Sequence, residues 1–158
     1  MIAIKTILLP TDGSECSVKA TAYALSFARQ YGGKVVALHV VDRRWEEQTR
    51  LAFAEVGQDL TQKIRDGYAE EARRILQTVA EAGAKAGVPV ETRMATGIPF
   101  DDIVRIGREL PADLIIMGTH GRTGVSHLLL GSVAERVVRR APCPVLTVRQ
   151  EEHDFVTS

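Results

Sequence analysis

The chain has no excess charge of either sign and few aromatic residues. Lysine and arginine together number 20, aspartate and glutamate also number 20, and aromatic residues make up 5% of 158 positions. Proteins that bind nucleic acids or membrane surfaces rely on an excess of basic charge. The balance therefore excludes broad electrostatic binding. We expect no nucleic-acid binding, and any anionic ligand must be met by a local site.

Cysteines and long apolar runs are also scarce. Cys16 and Cys143 form neither a CxxC pair nor a disulfide framework, which fits a reducing compartment. The apolar run at the N terminus is broken by Lys5 and Pro10, and it is too short for a signal peptide or a membrane span. We predict a cytoplasmic protein without membrane insertion.

Two common nucleotide-binding motifs are missing from the sequence. There is no GxxxxGK[ST], so no lysine is supplied between phosphates as in a P-loop NTPase. No GxGxxG follows the first predicted strand, where a dinucleotide-binding fold would have it. A nucleotide site in this chain must therefore be of another kind.

The apolar pattern predicts strands and helices in alternation. Predominantly apolar runs predict strands at 4–9, 34–41, 113–117 and 144–148, and 89–94 is predicted as a further, weaker strand. Helical spacing predicts four helices, which are 14–32 with Ser14 as N-cap, 60 to about 83–87, 99–110 and 132–140. Residues 43–59 are predicted to form a charged, irregular connection. This order predicts one open, doubly wound α/β domain over 1–149, with a five-stranded parallel sheet between two helix layers, followed by a polar tail over 150–158.

Two loops follow the carboxyl ends of predicted strands, where ligands bind in such sheets. The first is 10–14. The second carries glycines that permit positive φ or a close approach of ligand to backbone: Gly118, Gly121, Gly124 and Gly131. It ends with Ser132 at a helix N terminus, which favours an anion, and Arg122 is the only formally charged residue over 114–134. These features favour a phosphate site over a plain glycine-rich connection.

The same residues carry a family resemblance. The spacing Gly118-x2-Gly121-x9-Gly131-Ser132, opened by IIMGTHGRTG and followed by SVAERVVRRAPCPVLTVR, resembles the ATP-binding branch of the universal stress protein family. The segments KTILLPTDGS and ALHVVD match the same pattern, so the resemblance spans about 3 to 149. It implies strand order 3-2-1-4-5 in a fold like that of the adenine nucleotide alpha hydrolases. The chain departs from the family mainly in the connection 43–58 and in the tail.

The resemblance also implies an ATP pocket between the loops of the first and fourth strands. Asp12, with the backbone of Pro10 and Thr11, would contact the ribose, and the Val40 backbone would contact adenine. The phosphates would be lined by Gly118, Gly121, Gly131, Ser132 and Val133. The chemistry agrees, because a carboxylate suits ribose hydroxyls and an acid-free helix start suits phosphates. Mg²⁺ would be held mainly by phosphate oxygens and water.

Other residues near these loops have two interpretations each. Met117 would pack either against the base or ribose or in the core, and Arg122 would either clamp the γ-phosphate or be solvated. His120 and His127 have no carboxylate nearby in sequence to orient them, which favours exposure or a phosphate contact over catalysis. His39, within a strand, is interpreted as a satisfied core histidine. We assign no catalytic residue and no protein metal ligand.

The last predicted strand would lie at a sheet edge, and the family resemblance implies a homodimer through this strand, with Val145, Leu146 and Val148 as its apolar positions. The leading hypothesis is a stress-response sensor or regulator that binds ATP with Mg²⁺ and acts on an unknown protein partner. The first alternative is an enzyme of the adenine nucleotide alpha hydrolase type that hydrolyses or cleaves ATP slowly. The second is an interaction module that keeps the motif without the ligand.

Overall fold

The computed structural model describes residues 1–52, 58–122, 130–151 and 156. Five strands alternate with helices along the chain. The strands are β1 (Thr6–Pro10), β2 (Lys34–Asp42), β3 (Val90–Gly97), β4 (Leu114–Gly118) and β5 (Val145–Val148). The helices are α1 (Glu15–Tyr31), α2 (Arg43–Ala52), α3 (Gln58–Ala86), α4 (Pro99–Glu109) and α5 (Ser132–Arg140).

The strands form one parallel sheet in the order β3-β2-β1-β4-β5. This confirms the predicted strand order and fold class. Because β1 is central, its carboxyl end lies between those of β2 and β4, where the loops after the three strands meet. Across the described ranges, no helix is both long and apolar enough to cross a membrane.

Successive residues of β1 are buried on opposite faces of the sheet. Ile7 and Leu9 belong to a core cluster with Tyr23 of α1 and Leu76 of α3. Leu8 belongs to the opposite cluster, which includes residues of α4 and α5 such as Ile103 and Val137. The uniformly apolar strands are therefore covered by helices on both faces, as predicted.

The ends of α1 follow the local signals in the sequence. Ser14 is the N-cap, and its side chain accepts a hydrogen bond from the Ser17 amide at 3.3 Å. At the other end, Gly32 adopts φ +64° and ψ +36°, the left-handed conformation in which glycine is favoured. The first helix thus begins at the carboxyl end of β1, beside the loop predicted to contact ribose.

The prediction of an irregular connection over 43–59 is wrong for 43–52 and for 58–59, which are helical, while 53–57 lie outside the described residues. Residues Arg43–Ala52 form α2, which follows β2 with no intervening loop. The Asp42 carboxylate accepts a hydrogen bond from the Arg44 amide at 2.9 Å, as an N-cap side chain does. A single acidic residue at the end of the strand therefore starts a helix that has no apolar repeat of its own.

The predicted polar tail begins in contact with α1. The Gln150 side-chain amide donates to the Glu15 carboxylate, and the backbone carbonyl of Gln150 accepts a hydrogen bond from Lys19 Nζ at 3.3 Å. Val156 packs against the core cluster on the α1 and α3 face. The remaining tail positions, 152–155 and 157–158, lie outside the described residues.

Candidate functional site

A cavity of about 780 Å³ lies at the carboxyl edge of the sheet. Most of its lining comes from the ends of β1, β2 and β4, from the loops after them and from the first turn of α5, and α2, α3 and α4 contribute further residues. The structure brings all the predicted site residues together here: Pro10, Thr11, Asp12, Val40, Met117, Gly118, Gly121, Arg122, Gly131, Ser132 and Val133. A cavity of this size suits a ligand of nucleotide size.

The Asp12 carboxylate is fixed by two backbone amides. Its Oδ1 accepts from the Ser14 amide at 3.0 Å and its Oδ2 from the Arg122 amide at 3.1 Å. Each carboxylate oxygen has a further lone-pair direction. Asp12 is therefore held in place while it keeps capacity to accept hydrogen bonds from a ligand hydroxyl.

Arg122 joins the loops after β1 and β4 to α3. Its Nε donates to the Asp12 carbonyl at 2.7 Å, and a terminal nitrogen lies 3.0 Å from the Glu71 carboxylate. The guanidinium is thus engaged by protein groups in this structure, although its side chain is half exposed. These contacts use Nε and one terminal nitrogen, so the remaining guanidinium N–H groups can donate to a phosphate.

The described loop glycines are approached closely by protein atoms. A Cβ added at Gly118 would lie 2.6 Å from the Cβ of Cys16, and one at Gly121 would lie 2.6 Å from Asp12 Oδ2. At Gly131 it would lie 2.8 Å from the Thr119 carbonyl oxygen. None of these three glycines has a positive φ. Here, glycine permits the loops that surround the cavity to pack against each other.

The N terminus of α5 contributes backbone donors to the cavity. Its N-cap, Gly131, has no side chain that could accept hydrogen bonds from the first turn, whose residues Ser132, Val133 and Ala134 all line the cavity. The first amides of a helix have no acceptor within the helix, and the helix dipole adds partial positive charge there. The Gly131 amide itself donates to Thr119 O at 2.7 Å, so it belongs to the scaffold.

Met117 belongs to the core and also lies at the cavity, so its packing against a base or ribose stays a prediction. Its side chain is 5% exposed and belongs to the core cluster on the α4 and α5 face, yet the residue also lines the cavity. His120 lines the cavity as well, with its Nδ1 3.0 Å from the Thr119 hydroxyl. His127 lies outside the described residues.

His39 is bonded to the loop after β1. Its Nδ1 lies 2.8 Å from the Thr11 carbonyl oxygen, which can only accept, so Nδ1 carries the proton. Burial lowers the pKa of His39 below its usual value, with Arg122 acting in the same direction, while the Thr11 hydrogen bond, Asp12 and Glu71 oppose the shift. The residue lines the cavity in its neutral form, so the interpretation as a core histidine is correct only in part.

The lowered pKa of His39 makes stability depend on pH. The unfolded chain binds a proton near pH 6.5 while the folded chain resists it, so the free energy of unfolding falls as pH drops below about 6.5. His39→Asn keeps an N–H donor for Thr11 but cannot titrate. We expect urea unfolding at pH 7.5 and 5.5 to show a smaller pH dependence in the variant than in wild type. Equal dependence in both proteins would contradict this assignment.

Sequence reasoning missed the part of the lining that comes from α2 and α3. Arg44 and Trp45 line the cavity from α2, and Tyr68 and Glu71 from α3. The available signals were Asp42 as an N-cap directly after a strand, and the i,i+3 spacing of Tyr68 and Glu71. Neither signal shows by itself that these helices reach the carboxyl edge of the sheet.

Asp42 and Arg44 form an ion pair at the border of the cavity. Arg44 Nε lies 3.0 Å and 3.1 Å from the two carboxylate oxygens, and a terminal nitrogen lies 2.5 Å from Oδ2. Burial raises the pKa of Asp42, but the hydrogen bonds from Arg44 together lower it by more, so the net shift of the pKa is downward. The carboxylate therefore stays charged and keeps holding the first turn of α2.

A second cleft, of about 580 Å³, lies along α4 and beside the C-terminal end of α5. Four arginines contribute to its lining, namely Arg105, Arg108, Arg139 and Arg140. Three of them lie beside acidic side chains: Arg105 beside Asp102 and Glu109, Arg139 beside Glu135, and Arg140 beside Asp101. Its arginines make this cleft a second candidate site for an anion among the described residues.

Comparison with known proteins identifies close similarity over the whole fold. The profile of the universal stress protein family matches residues 3–149. A universal stress protein of Methanocaldococcus jannaschii, MJ0531, is 36% identical over 150 residues, which cover 95% of this chain and 85% of that protein.

Solved structures are similar to this chain over nearly its whole length. The structure of MJ0577, from the same organism, superposes with a TM-score of 0.82 at 30% identity, covering 96% of this chain and all of the other. A universal stress protein crystallised in complex with cAMP has a TM-score of 0.68 at 26% identity, covering 95% of this chain and 100% of that one.

Proposed function

Because the chain belongs to the universal stress protein family, we propose that its cavity binds ATP with Mg²⁺ and that it acts as a cytoplasmic stress-response sensor or regulator. The observation that carries the proposal is the N terminus of α5, which faces the cavity beneath a glycine N-cap. Such helix starts are ready-made sites for phosphate groups. The relative crystallised with cAMP supports an adenine nucleotide as the class of ligand.

We assign the phosphates of ATP to the α5 end of the cavity. The first-turn amides of Ser132, Val133 and Ala134, together with the Ser132 hydroxyl, are the donors at this end. Arg122 also lines the cavity, and its guanidinium would donate to a phosphate oxygen in a charge-assisted pair, either beside Glu71 or in its place.

We assign the nucleoside to the ends of β1 and β2. The Asp12 carboxylate, held by the Ser14 and Arg122 amides, accepts the ribose hydroxyls. The backbone of Val40 contacts adenine, and Met117 packs beside the nucleoside from β4. In this assignment the Asp12 carboxylate accepts hydrogen bonds from the sugar, and the amides of the first turn of α5 donate hydrogen bonds to the phosphates.

Mg²⁺ would reach the site with the nucleotide. Within residues 1–52, 58–122, 130–151 and 156, no group of three His, Cys, Asp or Glu side chains is placed to hold a metal ion. Mg²⁺ keeps several waters and is held by one or two carboxylates with substrate phosphates, so phosphate oxygens supply its ligands here.

Calorimetric titration with ATP tests the proposal. We expect one ATP bound per chain, with higher affinity in the presence of Mg²⁺ than in EDTA. Absence of binding up to millimolar ATP would refute the proposal. Steady-state release of ADP or AMP at an ordinary enzymatic rate of roughly one turnover per second or faster would favour the enzyme alternative instead.

We further propose that the regulator is a homodimer formed through β5. This strand lies at one edge of the sheet, and Val145, Leu146 and Thr147 are only half-buried. An apolar edge strand is a liability unless another strand or chain covers it. Light scattering at micromolar concentration should give the mass of a dimer, and the mass of a monomer would contradict this arrangement.

A further inference from the structure

Trp45 occupies an unusual position for the only tryptophan of the chain. It lies in the first turn of α2 and lines the cavity, yet its side chain is 54% exposed. Large aromatic side chains contribute most to the stability of a fold or an interface when they are buried. None of the residues of α2, all described, is buried, so core packing does not explain why a tryptophan stands here.

The position of Trp45 is fixed by the residues before it. β2 ends at Asp42, whose carboxylate accepts hydrogen bonds from the Arg44 amide and its guanidinium. This cap fixes the first turn of α2 at the carboxyl end of the strand. Trp45 therefore lines the cavity from the end of β2, where Val40 is assigned to adenine. The phosphates are assigned to the other end, at α5.

A second aromatic residue lines the same cavity from another helix. Tyr68 of α3 is half-buried and lies three residues before Glu71, the partner of Arg122. Among the described residues that line the cavity, Trp45 and Tyr68 are those with a Phe, Tyr or Trp side chain. Flat aromatic rings at this largely apolar cavity suit a flat ligand group.

We infer that Trp45 stacks on the nucleobase of the bound nucleotide. This inference rests on the proposed function and adds to it a base-binding residue that lies outside the motif shared with the family. The base has a π face that an indole ring can cover, and stacking of this kind is tolerant of base identity. On stacking, the exposed part of the Trp45 ring loses contact with water.

Stacking on Trp45 would contribute to binding of the base and not to binding of the phosphates. Trp45 touches the nucleoside half of the ligand only, so ATP binding depends on it and binding of inorganic tripolyphosphate does not. A merely structural role in holding α2 would affect both ligands alike. Comparing the two ligands in each variant therefore isolates the stacking contact.

The experiment combines calorimetry with intrinsic fluorescence. ATP should change the emission of Trp45 in wild type, and tripolyphosphate should leave it unchanged. Trp45→Ala should weaken ATP binding by about 5- to 100-fold, the range expected for one stacked base, and leave tripolyphosphate binding unaltered. Trp45→Phe, which keeps an aromatic ring, should recover part of the loss.

Leu51→Ala provides the matched control on the same helix. Leu51 is 66% exposed and is not part of the cavity lining, so this variant should bind ATP as wild type does. Unchanged Trp45 emission at ATP concentrations that saturate the calorimetric signal would overturn the inference and leave the proposed function standing. Equal ATP affinity in Trp45→Ala and wild type would do the same. Absence of any ATP binding would overturn both.

Discussion

Gly131→Val is expected to weaken ATP binding by at least about 100-fold. A Cβ at this position would lie 2.8 Å from the Thr119 carbonyl oxygen, and the two methyl groups of valine need further space. Either the loop after β4 or the start of α5 must move. Loss of two hydrogen bonds from the first turn to charged phosphates, at about 1.5 kcal/mol each, accounts for this factor. Calorimetric titration with ATP measures it.

A companion variant separates loss of the site from loss of the fold. Ser132→Ala keeps the backbone of α5 and removes one hydroxyl that lines the cavity, so ATP binding should weaken by about tenfold with little change in stability. Urea unfolding of both variants shows whether each is folded under the binding conditions. Full ATP affinity in folded Gly131→Val would exclude the α5 N terminus as the phosphate site.

Gly118→Ala is expected to lower the free energy of unfolding by about 1–3 kcal/mol, the usual cost of overpacking. The added Cβ would lie 2.6 Å from the Cβ of Cys16 and 3.0 Å from its carbonyl carbon. Backbone atoms of α1 cannot rotate away, so β4 and α1 must separate. Urea unfolding at pH 7.5 measures the change.

Gly67→Ala is the matched control and should act in the opposite direction. Gly67 lies within α3 and is exposed, and a Cβ there would meet no atom within 4 Å. Alanine is favoured over glycine in a helix by about 0.5–1 kcal/mol, so this variant should be more stable than wild type. If both substitutions changed the free energy of unfolding in the same direction, the close contact between Gly118 and α1 would not explain the need for glycine at position 118.

Much of the fold is predictable because its signals are local. Apolar runs such as Ile7 to Leu9 indicate strands buried on both faces, and Ser14 and Gly32 mark the ends of α1 within a few residues of sequence. The order of strands and helices then allows few topologies. The predicted site residues lie at one cavity for the same reason, since the ends of parallel strands share an edge of the sheet.

The features that were not predicted depend on contacts between distant segments. α2 has no buried residue and no apolar repeat, and its place beside the cavity results from the Asp42 cap and from contacts with α3 and β3. The close contact of Gly118 with Cys16 joins segments far apart in the chain. The pairing of Arg122 with Glu71 likewise requires α3 and the loop after β4 to be placed together first.

The position of the nucleotide can be measured directly by following backbone amides by NMR during titration with ATP, which a protein of 17.3 kDa per chain permits also as a dimer. We predict the largest shifts at Ser132, Val133 and Ala134, whose amides would bond the phosphates, and at Thr11 to Gly13 beside the ribose. Absence of shifts at millimolar ATP, or shifts confined to the arginine-lined cleft between α4 and α5, would contradict the account.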